Sequence, residues 1–301
     1  MASKDLPQSF AGGAVVRYAT AVQPDNLLDA TLLLIGHGST VNADSSASVL
    51  QHAAALRQQG VFAEVLTAFW KVEPSVPGAL ARARGRRVFV APFFVSEGWF
   101  TEQAIPEALG LKAEGQVGFE RRQMLDGKEV IYCRPIGTHP RMTEVILARA
   151  REVVRRFPFP RAPRPADLAL FLVGHGTERN RESRRAVEDQ AQRIGEMDIY
   201  AEVRAVFMLE APKLEDFHTL TAARSVVVVP FFMSDGLHVT EDIPVLLGEP
   251  ERVVKERHAQ RLPTWRNPTE KRGKLVWYAG SVGTEPTLAN VILERVREAV
   301  G

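Results

Sequence analysis

The chain lacks the markers that sort many proteins at a glance. Of its 301 residues one is cysteine, Cys133, so no intrachain disulfide and no CxxC metal site can form. That usage suits a reducing compartment, and a buried small apolar role is expected of the thiol. No apolar run approaches the roughly 18 residues needed to span a bilayer, and the N-terminus shows no basic-then-apolar signal pattern, so a cytoplasmic location away from membranes is expected. The formal charge of +2 is too small to indicate a nucleic-acid partner. Neither "GHGSTV" nor "GHGTER" completes G-x-G-x-x-G, so no nucleotide cofactor is expected. G-x-S-x-G is absent, which argues against a serine hydrolase. A phosphoryl-accepting histidine usually follows an arginine, whereas Ile35 and Val173 precede the glycines here.

What is present is a repeat. "LLLIGHGST" at 32–40 returns as "LFLVGHGTE" at 170–178, and a shift of 138 carries His37 onto His175 and Pro92-Phe93-Phe94 onto Pro230-Phe231-Phe232. Near the ends "GTHPRMTEVILARA" (137–150) answers "GTEPTLANVILERV" (283–296) at a shift of 146. About eight extra residues therefore belong to the second half, in the polar segment around 250–272. "FPFPRAPRP" (157–165) cannot continue a helix or a central strand and reads as a linker. The expected organisation is an extension at 1–28, one repeat at 29–156, the linker at 157–165 and a second repeat at 166–301.

Each half alternates apolar runs with polar, helix-forming segments, which implies an α/β fold: two tandem doubly wound domains, each a four-stranded parallel sheet flanked by helices. In such sheets ligands bind beyond the carboxyl ends of the strands. His175, Glu210 and His238 follow strands one, two and three of the second half. Two imidazoles and a carboxylate suit borderline divalent metals such as Co, Ni, Fe or Zn with positions left open. The first-half counterparts are His37, Glu73 and, by the 138 shift, Phe100, which can neither bind metal nor move a proton. The working site is therefore expected in the second half.

These motifs resemble the class II chelatases, the family of sirohydrochlorin cobaltochelatase and sirohydrochlorin ferrochelatase of cobalamin and siroheme synthesis. The resemblance rests on "LLLIGHGS", "LFLVGHGT", "EPS" (73–75), "PFFMSDGLHVTEDIP" and "GTHPRMTEVILAR", and runs from about residue 30 to the end. It implies the long, two-repeat form, a pseudo-dimeric monomer that inserts a divalent metal, Co2+ or else Fe2+ or Ni2+, into a tetrapyrrole. The metal is then a substrate. His175, Glu210 and His238 take the family's metal-binding and proton-transfer roles, and His37, Ser39, Thr177, Arg179 and Arg181 are expected to contact the polycarboxylate macrocycle. Two departures stand out: Phe100 where the family has histidine, and "EAPK" (210–213) in place of "EPS". The competing reading is a metal- or tetrapyrrole-binding carrier on the same fold that does not turn over.

Overall fold

The computed structural model describes residues 27–42, 44–177 and 181–300. The first sheet is built from β1 (Ala30–Gly36), β2 (Glu64–Phe69), β3 (Arg87–Pro92), β4 (Arg122–Leu125) and β5 (Lys128–Tyr132), in the order β2-β1-β3-β5-β4. The second repeats it with β6 (Leu168–Gly174), β7 (Glu202–Phe207), β8 (Ser225–Pro230), β9 (Thr269–Lys271) and β10 (Lys274–Tyr278), in the order β7-β6-β8-β10-β9. Four strands of each sheet run parallel, as the apolar runs predict. The expectation of four strands needs one correction: each sheet gains a short antiparallel edge strand, β4 on β5 and β9 on β10. Two-residue turns, Asp126-Gly127 and Arg272-Gly273, make these hairpins, with positive φ at both central positions as the right-handed strand twist favours. The edge strands are mostly polar, so no apolar run announced them.

The continuous apolar strands serve two cores at once. In β1, Leu32 and Leu34 face one cluster while Leu33 and Ile35 face another; β6 divides Leu170 and Leu172 from Phe171 and Val173 in the same way. The outer cores belong to one half each and are covered by short helices: α2 (Ala79–Arg82) and α3 (Ile105–Ala108) in the first, α6 (Phe217–Leu220), α7 (Ile243–Leu246) and α8 (Glu251–Ala259) in the second. Helix α8 has no first-half equivalent and accommodates the extra residues that the sequence places at 250–272.

The inner core is shared between the halves. Between the sheets lie α1 (Asp44–Gln59), α4 (Met142–Arg156), α5 (Arg181–Gly195) and α9 (Leu288–Glu298). The closing helix of each half packs on the other half's sheet, α4 against β8 and β10, and α9 against β3. Polar contacts follow the exchange. The Trp277 indole N–H donates to the Phe157 carbonyl at 2.9 Å, His52 Nε2 lies 2.8 Å from the Gly283 carbonyl oxygen, and Ser48 Oγ donates to the Met233 carbonyl at 2.6 Å. Among the described residues no helix is long and apolar enough to cross a membrane.

Candidate active site

In both sheets the strand order reverses between the first strand and the third, and at such a switch point the loops leaving the strands diverge and open a crevice. His37 and His175 stand in the turns that leave β1 and β6. The glycines after them, Gly38 and Gly176, have φ of 67° and 73°, a region that L side chains rarely enter. A Cβ on Gly176 would lie 2.8 Å from Glu210 Cγ, and one on Gly38 would lie 2.8 Å from Val72 Cγ2. The tight turn thus brings each histidine next to the loop after the second strand.

The third-strand loops end in π-helical turns, Phe100–Ala104 and His238–Asp242, whose first residues complete the comparison between halves. His238 meets His175 with ring centroids 4.9 Å apart, and Phe100 meets His37 at 5.0 Å, both edge to face. The two positions superimpose in role, so one half carries an imidazole pair and the other an imidazole against a phenyl ring. Around His37 the first half adds Trp70, Phe94 and Trp99, all in ring contact with each other or with Phe100.

Each imidazole of the pair has one nitrogen already committed. His238 Nδ1 lies 2.6 Å from Asp242 Oδ2. An ionised carboxylate can only accept, so Nδ1 carries the proton and the Nε2 lone pair is left for a metal or a proton. The His175 ring is hydrogen-bonded to the Gly176 backbone, as His37 Nδ1 is to the Gly38 carbonyl oxygen at 2.7 Å. Burial, reinforced by the neighbouring His238, holds the His175 pKa below the usual 6.5. The neutral, ligating form is therefore the favoured one. Asp242 is the neighbour of the imidazole pair that the sequence reading missed. Its signal was the spacing of four from His238 in "HVTED", and its first-half equivalent is Ala104.

Among the described residues no group of three His, Cys, Asp or Glu side chains, Glu210 with the two imidazoles included, is already gathered to hold a metal ion. The loop after the second strand corrects one correspondence between the halves. Phe69 N–H donates to the Pro74 carbonyl at 2.8 Å and Phe207 N–H to the Pro212 carbonyl at 2.9 Å, so Glu73 corresponds to Ala211 and Glu210 to Val72. The pairing of Glu73 with Glu210 expected from sequence was off by one residue. Glu210 instead rests against Gly176, with Oε2 3.3 Å from Arg184 Nη1 and Oε1 without a hydrogen-bond partner. Arg184 also donates to the Ala211 carbonyl at 3.0 Å and covers the Phe207 ring, which makes it a clamp on this loop.

The expected substrate contacts are unevenly placed. His37 and His175 line one cavity of about 310 Å³ between the halves, with Gly36, Phe94, Gly174 and Phe232. His175 also borders a cavity of about 500 Å³ with His238, Glu241, Asp242 and Lys255, so it is the wall common to both. Ser39 Oγ accepts from the backbone N–H groups of Val41 and Asn42 and thereby shapes its own turn. Thr177 is half-buried beside Gly176, and Arg181 is exposed at the first turn of α5. Arg179 lies outside the described residues.

Comparison with known proteins bears on the family and the fold. The CbiX family description matches residues 31–153 and again 169–299. A protein of Halobacterium salinarum named as a probable sirohydrochlorin cobaltochelatase is 40% identical over 278 residues, 89% of this chain and 91% of that protein. The sirohydrochlorin cobaltochelatase of Methanopyrus kandleri is 35% identical over 142 residues, 98% of its own length but 44% of this chain. Among solved structures, a multi-domain protein of Deinococcus radiodurans described as similar to chelatases superimposes with a TM-score of 0.70 at 31% identity over 88% of this chain. The match spans 54% of that longer protein, which has two additional domains. The sirohydrochlorin chelatase SirB of Bacillus subtilis in complex with cobalt shares the fold, with a TM-score of 0.58 at 17% identity over 90% of this chain and 94% of its own. The chain belongs to the CbiX family, as a class II chelatase that carries two repeats.

Proposed function

We propose that the protein inserts Co2+ into a sirohydrochlorin-type tetrapyrrole, with Fe2+ and Ni2+ as the alternative metals, in the cytoplasm and as a step of cobalamin or siroheme synthesis. The observation that carries the reading is the facing pair His175 and His238, 4.9 Å apart, each with its other nitrogen held and with Phe100 at the equivalent place in the other half. The cobalt preference rests on the relatives named cobaltochelatases.

Insertion replaces two pyrrole N–H protons with one divalent cation, so a site must hold the cation loosely and accept two protons. The two free imidazole nitrogens present lone pairs to the incoming metal, and two ligands release a cation more readily than a closed tetrahedral set. As the metal passes into the ring, the same nitrogens become available to take the departing protons. Asp242 then faces an imidazolium at His238 and stabilises it. Glu210 holds the His175 turn through its packing on Gly176. His37, Ser39, Thr177, Arg179 and Arg181 are assigned to contacts with the carboxylates of the macrocycle. Residues 166–301 carry the reaction, residues 29–156 complete the crevice, and the chain works as a pseudo-dimeric monomer.

The test is sirohydrochlorin absorbance with Co2+ and catalytic amounts of protein. Many turnovers per chain are expected. A shift that stops at one equivalent would establish the carrier reading, and no shift beyond the metal-only control with Co2+, Fe2+ or Ni2+ would sink both.

A further inference from the structure

Helix exchange places one arginine of each closing helix at the interface, and the two are treated differently. Arg149 of α4 is fully engaged: Nε donates to the Ser281 carbonyl at 2.9 Å and Nη2 to Thr284 Oγ1 at 2.6 Å in the second half, and Nη1 donates to Glu152 of its own helix at 3.0 Å. Asp235 closes that side by accepting from the Ser281 N–H and the Thr284 hydroxyl. Its equivalent at the 146 shift is Arg295 of α9, which is 5% exposed. Arg295 reaches Thr138 Oγ1 at 2.9 Å and Glu298 at 2.7 Å, but its buried Nε has no hydrogen-bond partner. Pro135 stands where Ser281 stands on the other side, so the N–H that Asp235 uses there does not exist here.

The space left by this unfilled network is a cavity of about 690 Å³ between the halves, larger than either cavity at the histidine pair. Six arginines line it: Arg121, Arg122, Arg134, Arg185, Arg193 and Arg295. They outnumber the carboxylates of the lining by two. Arg121 is spent on Glu102 at 2.8 Å and Arg185 lies 3.8 Å from Asp189, whereas Arg134 and Arg193 are exposed and have no ion pair among the described residues. A buried guanidinium nitrogen left unpaired is costly, and an excess of guanidinium around a roomy cavity favours an oxyanion. The arginines come from the β4 and β5 edge, α5 and α9, spread round the space rather than converging on one point. That arrangement suits several separated carboxylates better than one compact phosphate.

We propose that this inter-half cavity is a carboxylate-binding site, distinct from the histidine pair, that takes a polycarboxylate anion across Arg134, Arg193 and Arg295. The anion is either a carboxylate arm of the macrocycle or a free small polycarboxylate. The site itself does not depend on metal insertion; only the first source rests on that reading.

The test compares the full chain with the double variant Arg134→Ala/Arg193→Ala, checked first by thermal melting. Citrate binding is read by calorimetry at low ionic strength, and metal-free sirohydrochlorin binding by absorbance. Citrate affinity is expected to fall by about tenfold or more in the variant, as the loss of a charged hydrogen bond implies. Loss confined to citrate assigns the site to a free polycarboxylate. Weaker macrocycle binding, or competition by citrate, assigns it to the macrocycle's arm. If both probes bind the variant as they bind the parent, or citrate does not bind and macrocycle affinity is unchanged, the proposal fails. Citrate binding that survives in a chain without Co2+ turnover would leave the cavity standing and remove the chelatase reading.

Discussion

Asp242 is the sharpest place to test how the imidazole pair works. When His238 accepts a proton or a metal it becomes cationic, and the Asp242 carboxylate, 2.6 Å away by oxygen, is the nearest stabilising charge. Opposite charges about 4 Å apart attract by about 1 kcal/mol in water and about 4 kcal/mol at the effective dielectric of a protein surface. The two side chains are 49% and 51% exposed, which places this pair toward the lower figure, about 1 to 2 kcal/mol. Asp242→Asn keeps the shape and an acceptor oxygen but removes the charge, so the insertion rate should fall by about 5- to 30-fold. Asp242→Ala also frees the ring to turn and exchange tautomers, and a loss of about 10- to 100-fold is expected, typical of the groups that orient a metal-binding histidine. Neither change should cost more than about 1 kcal/mol of stability, because the pair is solvent-exposed. Initial rates with Co2+ and sirohydrochlorin, alongside urea unfolding, measure both quantities. A folded Asp242→Ala protein that inserts metal at the parent rate would refute the idea that the carboxylate sets His238.

Two further outcomes follow from the same geometry. His238→Ala should lower insertion by at least about 100-fold while the melt is unchanged, and His37→Ala should lower it less, since His37 faces Phe100; equal losses would show a site shared by both halves. Burial holds the pKa of His52 below 6.5 at the half-to-half interface, so the unfolded chain binds a proton that the folded one refuses; its stabilising contribution is complete above about pH 6.5 and is lost as pH falls further. Unfolding free energies at about pH 7.5 and about pH 5.5 should show that drop, and His52→Gln, which keeps an N–H for the Gly283 carbonyl, should narrow it; an unchanged drop in the variant would remove His52 from the account.

Much of this was legible in the sequence because the repeat supplied its own control. The continuous apolar runs ending at Gly36 and Gly174 announced strands covered on both faces, and the doubled "PFF" fixed a register in which Phe100 replaces His238. Where the register rested on one residue it slipped: "EAPK" invited Glu210 to stand for Glu73, while the backbone bonds of Phe69 and Phe207 set Ala211 there. The edge strands escaped because "RQML" and "TEK" have no apolar alternation, although Asp126-Gly127 was a hairpin signal in plain view. Asp242 was passed over for a different reason. Its carboxylate reaches His238 because a helical turn brings residues four apart together, and no pattern of hydrophobicity marks "HVTED" as helical. The amphipathic α4 and α9 declared that they had a buried face but not which sheet would cover it.

That last point limits how the molecule can move. With α4 seated on β8 and β10 and α9 on β3, each half is fastened to the other by its own final helix. Swinging the halves apart to admit a ligand would strip both helices from their sheets and expose the inner core at Val145, Ile146, Ile292 and Val296, all under 1% exposed. A large substrate must then enter and leave by the crevice itself while the scaffold stays shut. Cutting the chain within 157–165 should accordingly leave two pieces that remain clasped, because the bond at the linker is redundant with the interlock of the helices.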